Sequence, residues 1–210
     1  MAEGIRSDEG FLILADISGF NAFVTRTELE HGAEVTGMLL EAVMRRLSPP
    51  LEIQELEGDA VFALGPDRLV PDGRVVPAVL IDAFVAFREE QRRMTDEGGC
   101  DCRACCAVPD LDLKLIGHHG RFIRQRIGGR SRVAGSDVIL IHRLVKNSID
   151  GGAYLLLTEP ALERIGVDPL ASGMRRQLLS YPYLGEVPCF VADLDQMPRP
   201  GAAAPAVYAA

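Results

Sequence analysis

The stretch from Phe11 to Asn21 constrains this chain more than any other. The apolar run Phe11-Leu12-Ile13-Leu14-Ala15 leads into Asp16, and Ser18-Gly19-Phe20 follows before a helical pattern begins. An apolar run that ends at a glycine and feeds a helix predicts a buried strand, a tight turn and a helix N-terminus. That order puts Asp16 at the end of the strand. It also leaves the amides of Ser18 to Asn21 at the positive end of a helix dipole, where anions bind. A carboxylate beside free amides suits a metal-bound phosphate ester; a plain helix cap at Asp16 is the alternative.

A second stretch, Leu51 to Leu64, weighs against the plain cap. Leu51-Glu52-Ile53-Gln54-Glu55-Leu56-Glu57 alternates as a half-exposed strand, Gly58-Asp59 breaks it, and Ala60-Val61-Phe62-Ala63-Leu64 resumes as a buried strand. This predicts a hairpin with Asp59 at its tip. With both stretches in view, the chain resembles the class III adenylyl/guanylyl cyclase catalytic domains, as a divergent, bacterial-type soluble member. Asp16-Ile17-Ser18-Gly19-Phe20 is similar to their first aspartate motif and Glu55-Leu56-Glu57-Gly58-Asp59-Ala60 to their second. The resemblance runs over roughly residues 10 to 195, with the motifs in the family's order.

The 210 residues fit one domain with a substantial core. Residues 1–9 read as a mobile leader, 10–197 as the cyclase-homology domain with a Cys-rich loop insertion at 98–109, and 198–210 as a disordered Pro/Ala tail. Helices are expected over about residues 33–47, 75–95, 137–149 and 159–165. A strand over 111–116 is expected to turn at His118-His119-Gly120 and return over 122–127, ahead of a glycine-and-arginine loop at 128–132. A last antiparallel pair is expected at 177–183 and 187–194. This order predicts an α+β fold with helices on a mainly antiparallel sheet, and the resemblance implies the same, a ferredoxin-like βαββαβ-type fold. The net charge of −8 argues against a nucleic-acid or anionic-membrane partner. No apolar run is long enough to span a bilayer and the N-terminus is too polar for a signal peptide, so the cytoplasm is the expected compartment.

Two aspartates at adjacent strand ends could hold two divalent cations about 3.5–4 Å apart, and oxygen donors favour Mg2+ or Mn2+. The resemblance implies the metal ligands Asp16, Asp59 and the backbone carbonyl of Ile17, with Ser18, Gly19, Phe20 and Asn21 offering amides to phosphate. It further implies a triphosphate-binding Arg130, a transition-state Arg143 and a base-reading Glu55, for which an exposed strand glutamate is the alternative. The asparagine that the family pairs with its arginine is Ile139 here. Family sites are composite, which implies a homodimer. Cys100, Cys102, Cys105 and Cys106 invite a structural zinc reading, with Cys189 or Asp101 as further donors; reduced loop thiols or a redox switch are the alternatives. His118, His119 and His142 read as packing or surface residues.

The function expected from the resemblance is conversion of a nucleoside triphosphate to a 3′,5′-cyclic nucleotide and pyrophosphate. A catalytically degenerate module that binds nucleotide or metal and regulates a partner is the alternative. The aspartate pair alone would also permit a general metal-dependent phosphotransferase.

Overall fold

The computed structural model describes residues 6–96, 100, 102–149 and 151–197. The chain opens with β1 (Arg6–Ser18), α1 (Phe20–Arg26) and α2 (Leu29–Leu47). The hairpin β2 (Glu52–Glu57) and β3 (Ala60–Pro66) leads to α3 (Val75–Asp96) and the short α4 (Arg103–Ala107), which a 3-10 turn at Val108–Asp110 extends. Then come β4 (Asp112–Ile127), β5 (Arg130–Ala134), α5 (Ser136–Leu144), β6 (Tyr154–Thr158), α6 (Glu159–Ile165), β7 (Arg175–Tyr181) and β8 (Gly185–Asp193). The strands form one sheet in the order β2-β3-β1-β4-β6-β8-β7, with β5 on the far end of β4. Every pairing is antiparallel except β4 with β6. The protein is thus an α+β fold on a mostly antiparallel sheet.

Alternation along β1 assigns the two faces of the sheet. Phe11, Ile13, Ala15 and Ile17 join the larger core with Val35, Leu39 and Val43 of α2, Leu80, Phe84 and Phe87 of α3, and Leu162 of α6. Leu12 and Leu14 face the other way, with Phe62, Ile116 and Tyr154, beneath Leu140, Ile141 and Leu144 of α5. Asp16 falls on this second face, which among the described helices only α5 covers.

Several boundaries differ from the sequence expectation. β1 starts at Arg6, inside the stretch read as a leader, because it continues to pair with β4 as far as Arg124. The segment 112–127 is one strand of 16 residues, and its hairpin partner is β5. His118-His119-Gly120 is not a turn. His118 is buried with Nδ1 hydrogen-bonded to Thr158 Oγ1 at 2.8 Å, while its Nε2 lies 3.6 Å from Asp137 Oδ1, beyond a hydrogen bond. Gly120 is needed for closeness: a Cβ there would lie 2.4 Å from Asp137 Oδ2. The turn sits instead at Gly128-Gly129, whose φ values of 59° and 79° suit a two-residue hairpin. The region 128–132 is therefore a turn plus the start of β5, and the helix expected at 137–149 is the shorter α5. The Cys-rich insertion carries α4, and residues 198–210 lie outside the described residues. Among the described residues no helix is long and apolar enough to cross a membrane.

The packing of β1 generates a stability test. A Cβ on Gly10 would meet the backbone oxygen of Gly65 at 2.4 Å, and neither strand can move aside. Gly10→Ala should destabilise the fold by about 1–3 kcal/mol, the range for overpacking a tight core. Gly37, in the interior of α2 with open space around it, should respond oppositely, gaining about 0.5–1 kcal/mol on change to alanine. Urea melts of the two variants check both signs.

Candidate functional site

The site is set by strand register. Asp16 lies opposite Ala60 of β3 on one side and Lys114 of β4 on the other. The Ile17 amide donates to the Asp59 carbonyl at 3.1 Å, which draws the hairpin tip against the end of β1. The N–H and C=O of one strand residue point to the same edge, so the Ile17 carbonyl also faces the turn that carries Asp59. The Asp59 backbone therefore lies beside Ile17 where β1 ends and β3 begins, with the Asp59 carboxylate near enough for its charge to act on Asp16.

Their electrostatics are unfavourable without a cation. Asp16 is half-buried, and its pKa is pushed from 3.8 up to about 6, first by burial and then by the Asp59 charge. Burial likewise raises Asp59. Lys114 opposes the shift at both groups. Its ammonium also lies 5.9 Å from the centre of the Tyr154 ring, so it sits on the same face of the sheet as Asp16. The sequence alone does not point to Lys114; only the pairing register brings it to the aspartates. The donor set fits a hard divalent ion, with Lys114 already offsetting part of the negative charge.

The other candidates lie around this centre or away from it. Ser18 ends β1, and its hydroxyl is buried with no hydrogen-bond partner among the described residues. Gly19 takes a left-handed conformation (φ 84°) and starts α1, so Phe20 and Asn21 begin a helix of only seven residues. Such a helix has little dipole, and it offers amides rather than a strong field. Glu55 is exposed on the edge strand β2, beside an irregularity between Ile53 and Glu55. Arg130 opens β5 opposite Ile127, thirteen residues along β4 from Lys114, which is about 40 Å of strand. Asp16 and Arg130 of one chain thus do not share a site. Arg143 is exposed on α5, one turn after Ile139, whose side chain is 56% exposed. His142 between them donates from Nδ1 to the Val138 carbonyl at 2.7 Å and meets Glu57 through Nε2 at 2.8 Å, tying α5 to β2. His119 Nε2 meets Asp67 at 3.1 Å and its ring packs edge-on against Phe11, a structural role.

The cysteine cluster departs from its expected membership. Cys100, Cys102 and Cys105 converge with His31 of α2, their ligand atoms all within 4.8 Å of one another. Cys106 is exposed and outside the group, because adjacent residues of a helix point to different sides. Cys189 is buried on β8 in the opposite core layer, and Asp101 lies outside the described residues. His31 is 74 residues from Cys105, and no local spacing announces it.

The family profile described as "Protein of unknown function (DUF2652)" matches residues 36–154, more than half of the chain. The chain belongs to that family. The uncharacterised protein Rv2561/Rv2562 of Mycobacterium tuberculosis is 30% identical over 125 residues, a match that covers 58% of this chain and 56% of that protein. Among solved structures, the guanylyl cyclase Cya2 superposes with a TM-score of 0.70 at 16% identity, covering 91% of this chain and 93% of that one. The adenylyl cyclase CyaB from P. aeruginosa gives 0.67 at 16% identity, covering 90% and 96%. This DUF2652 member therefore has the fold of nucleotide cyclase domains.

The raised pKa of Asp16 has a thermodynamic consequence. Because its folded pKa lies above 3.8, the stability that protonated Asp16 keeps is fully present below about pH 4 and lost as pH rises through about 6. Asp16→Asn should accordingly stabilise the metal-free protein at pH 7.5 by on the order of 1–2 kcal/mol, after allowance for partial exposure, and leave it unchanged near pH 4. Thermal melts in a chelating buffer check this, and saturating Mn2+ should erase the difference.

Proposed function

We propose that this chain is a class III nucleotide cyclase-like protein, converting a nucleoside triphosphate to a 3′,5′-cyclic nucleotide and pyrophosphate with weak turnover. The observation that carries the reading is the meeting of Asp16 and Asp59 at the adjacent ends of β1 and β3, on a fold shared with adenylyl and guanylyl cyclase domains.

Asp16, Asp59 and the Ile17 carbonyl hold Mg2+ or Mn2+. When bound, a metal pair would lower the pKa of the ribose 3′-hydroxyl and neutralise the triphosphate. The amides of Ser18 to Asn21 take phosphate oxygens from the protein side. Arg130 acts from a second copy of the chain, since about 40 Å of strand separates it from Asp16 within one copy, and the family resemblance assigns Arg143 to that copy as well. That requires a homodimer with composite sites. Arg130 grips the triphosphate with a planar fork that lysine lacks, and Arg143 meets charge that develops on the transferring phosphorus. Glu55, on the exposed side of β2, reads the base. A triphosphate substrate and reduced thiols both suit the cytoplasm.

A second reading rests on Ile139. An exposed isoleucine one turn before Arg143 cannot orient a ribose by hydrogen bonding, and Lys114 reduces the charge available to a second metal. On these grounds the chain is a nucleotide- and metal-binding regulatory module without turnover.

Arg143→Ala and Ile139→Asn separate the two. For an enzyme, Arg143→Ala should leave nucleotide binding nearly intact and cut turnover on the order of a hundredfold, while Ile139→Asn should raise turnover. The assay is cyclic-product formation from each of the four triphosphates with Mn2+. No product from the wild type and none from Ile139→Asn would leave the regulatory reading standing alone.

A further inference from the structure

The His31, Cys100, Cys102 and Cys105 group lies outside the aspartate site and takes no part in the function proposed above. Three thiols and an imidazole converge from two separate parts of the chain. His31 sits in the first turn of α2, while the cysteines enter and open α4. His31 Nε2 is 3.2 Å from Cys105 Sγ, and all four ligand atoms fall within 4.8 Å of each other. Donors around a tetrahedral zinc with ordinary Zn–S and Zn–N lengths stand about 3.5–3.8 Å apart, so closing on an ion needs only about 1 Å of contraction.

Two further features support metal ligation over chance proximity. The other ring nitrogen of His31, Nδ1, faces Glu34 Oε2 at 3.1 Å. A carboxylate that accepts from the far nitrogen fixes the tautomer and leaves Nε2 as a lone-pair donor, the usual arrangement around zinc-bound histidines. Cys102 Sγ accepts the amide of Cys105 at 3.4 Å at the start of α4, a bond that favours thiolate over thiol. The two segments are also tied by Glu28, which accepts from the Arg103 guanidinium at 2.9 Å and from the Ala104 amide at 3.3 Å.

We propose that His31, Cys100, Cys102 and Cys105 bind one structural zinc ion, which clasps the N-terminus of α2 to the segment between α3 and β4. Three sulfurs and one nitrogen are a closed structural set with no position left for substrate. Thiolate donors select zinc over the magnesium or manganese that suits the aspartates. The chain that follows the clasp reaches the start of α1, where a Cβ on Gly19 would meet the Asp110 carbonyl at 3.0 Å.

The test is metal analysis of untagged, reduced full-length protein grown with zinc. About one zinc per chain should survive dialysis. It should be lost in Cys102→Ser and Cys105→Ser and retained in Cys106→Ser. His31→Ala should weaken affinity by about tenfold or more in competition with a chromophoric chelator. Because a serine variant could fail to fold, the wild type is also stripped and refilled with Co2+. Intense visible d–d bands and a thiolate-to-cobalt charge-transfer band are expected. Zinc well below one per chain, equal retention in Cys102→Ser, equal loss in Cys106→Ser, or the weak spectrum of six-coordinate cobalt would each overturn the proposal. So would a disulfide among these thiols in protein purified anaerobically. None of these readouts depends on nucleotide turnover, so the zinc clasp and the cyclase reading stand or fall separately.

Discussion

Everything in this fold hangs on β1 being enclosed on both edges and both faces. It pairs along its length with β4 and over Gly10 to Asp16 with β3, while Phe11, Ile13 and Ala15 pack to one side and Leu12 and Leu14 to the other. Side chains alternate with a period of two, so a slip of one residue would exchange the two core layers and drive Asp16 into the larger one. The burial that fixes the core therefore also fixes which face the carboxylate presents, and that it arrives beside Lys114 and Tyr154. Arg124 strengthens the same register by pairing with Asp8 of β1 and Glu52 of β2.

The site at the end of β1 runs against the stability of the strand that carries it. Asp16 and Asp59 are both desolvated, and Asp16 also feels Asp59 as a like charge. An apolar residue at position 16 would continue the run from Phe11 to Ala15 without that cost. Lys114 relieves the conflict only in part, since Asp16 remains raised with the ammonium in place. A divalent ion would complete the compensation, and the proposed function rests on that ground.

The parts of this structure legible in the sequence were those set by local pattern. The apolar runs, the proline stop after α2 and the glycine before Asp59 mark elements that register then joins. The parts that depend on distant partners were not legible. His118 reads as part of a turn because a polar ring inside a strand is costly, and the sequence does not show that Thr158 meets its Nδ1. Gly120 reads as part of the same turn, yet it admits Asp137, and Gly117 admits Leu157, at distances that a Cβ would block. Lys114 resembled any surface lysine until its register with Asp16 was known. His31 has no local signal at all, because the segment that brings the cysteines to it lies beyond β2, β3 and α3.

The thiol group and the aspartate site are also joined by a short run of chain. From Cys102 the backbone passes through α4 and the turn at Val108–Asp110, and β4 begins at Asp112 opposite Ser18. Two residues later comes Lys114, opposite Asp16. Gln91 of α3 holds this run from the other side, donating to the carbonyls of Val108 and Leu111 at 2.9 and 2.8 Å. Arg88 braces it through Asp112 at 2.6 Å. Whatever orders Cys102 and Cys105 therefore also orders the start of β4, and with it the lysine that faces the two carboxylates. The Cys-rich stretch looks in sequence like an insertion that the sheet could lose. In the fold it buttresses the edge of the aspartate site, and the constraint it supplies falls on Gly19 and Lys114, where the end of β1 meets the run from α4 into β4.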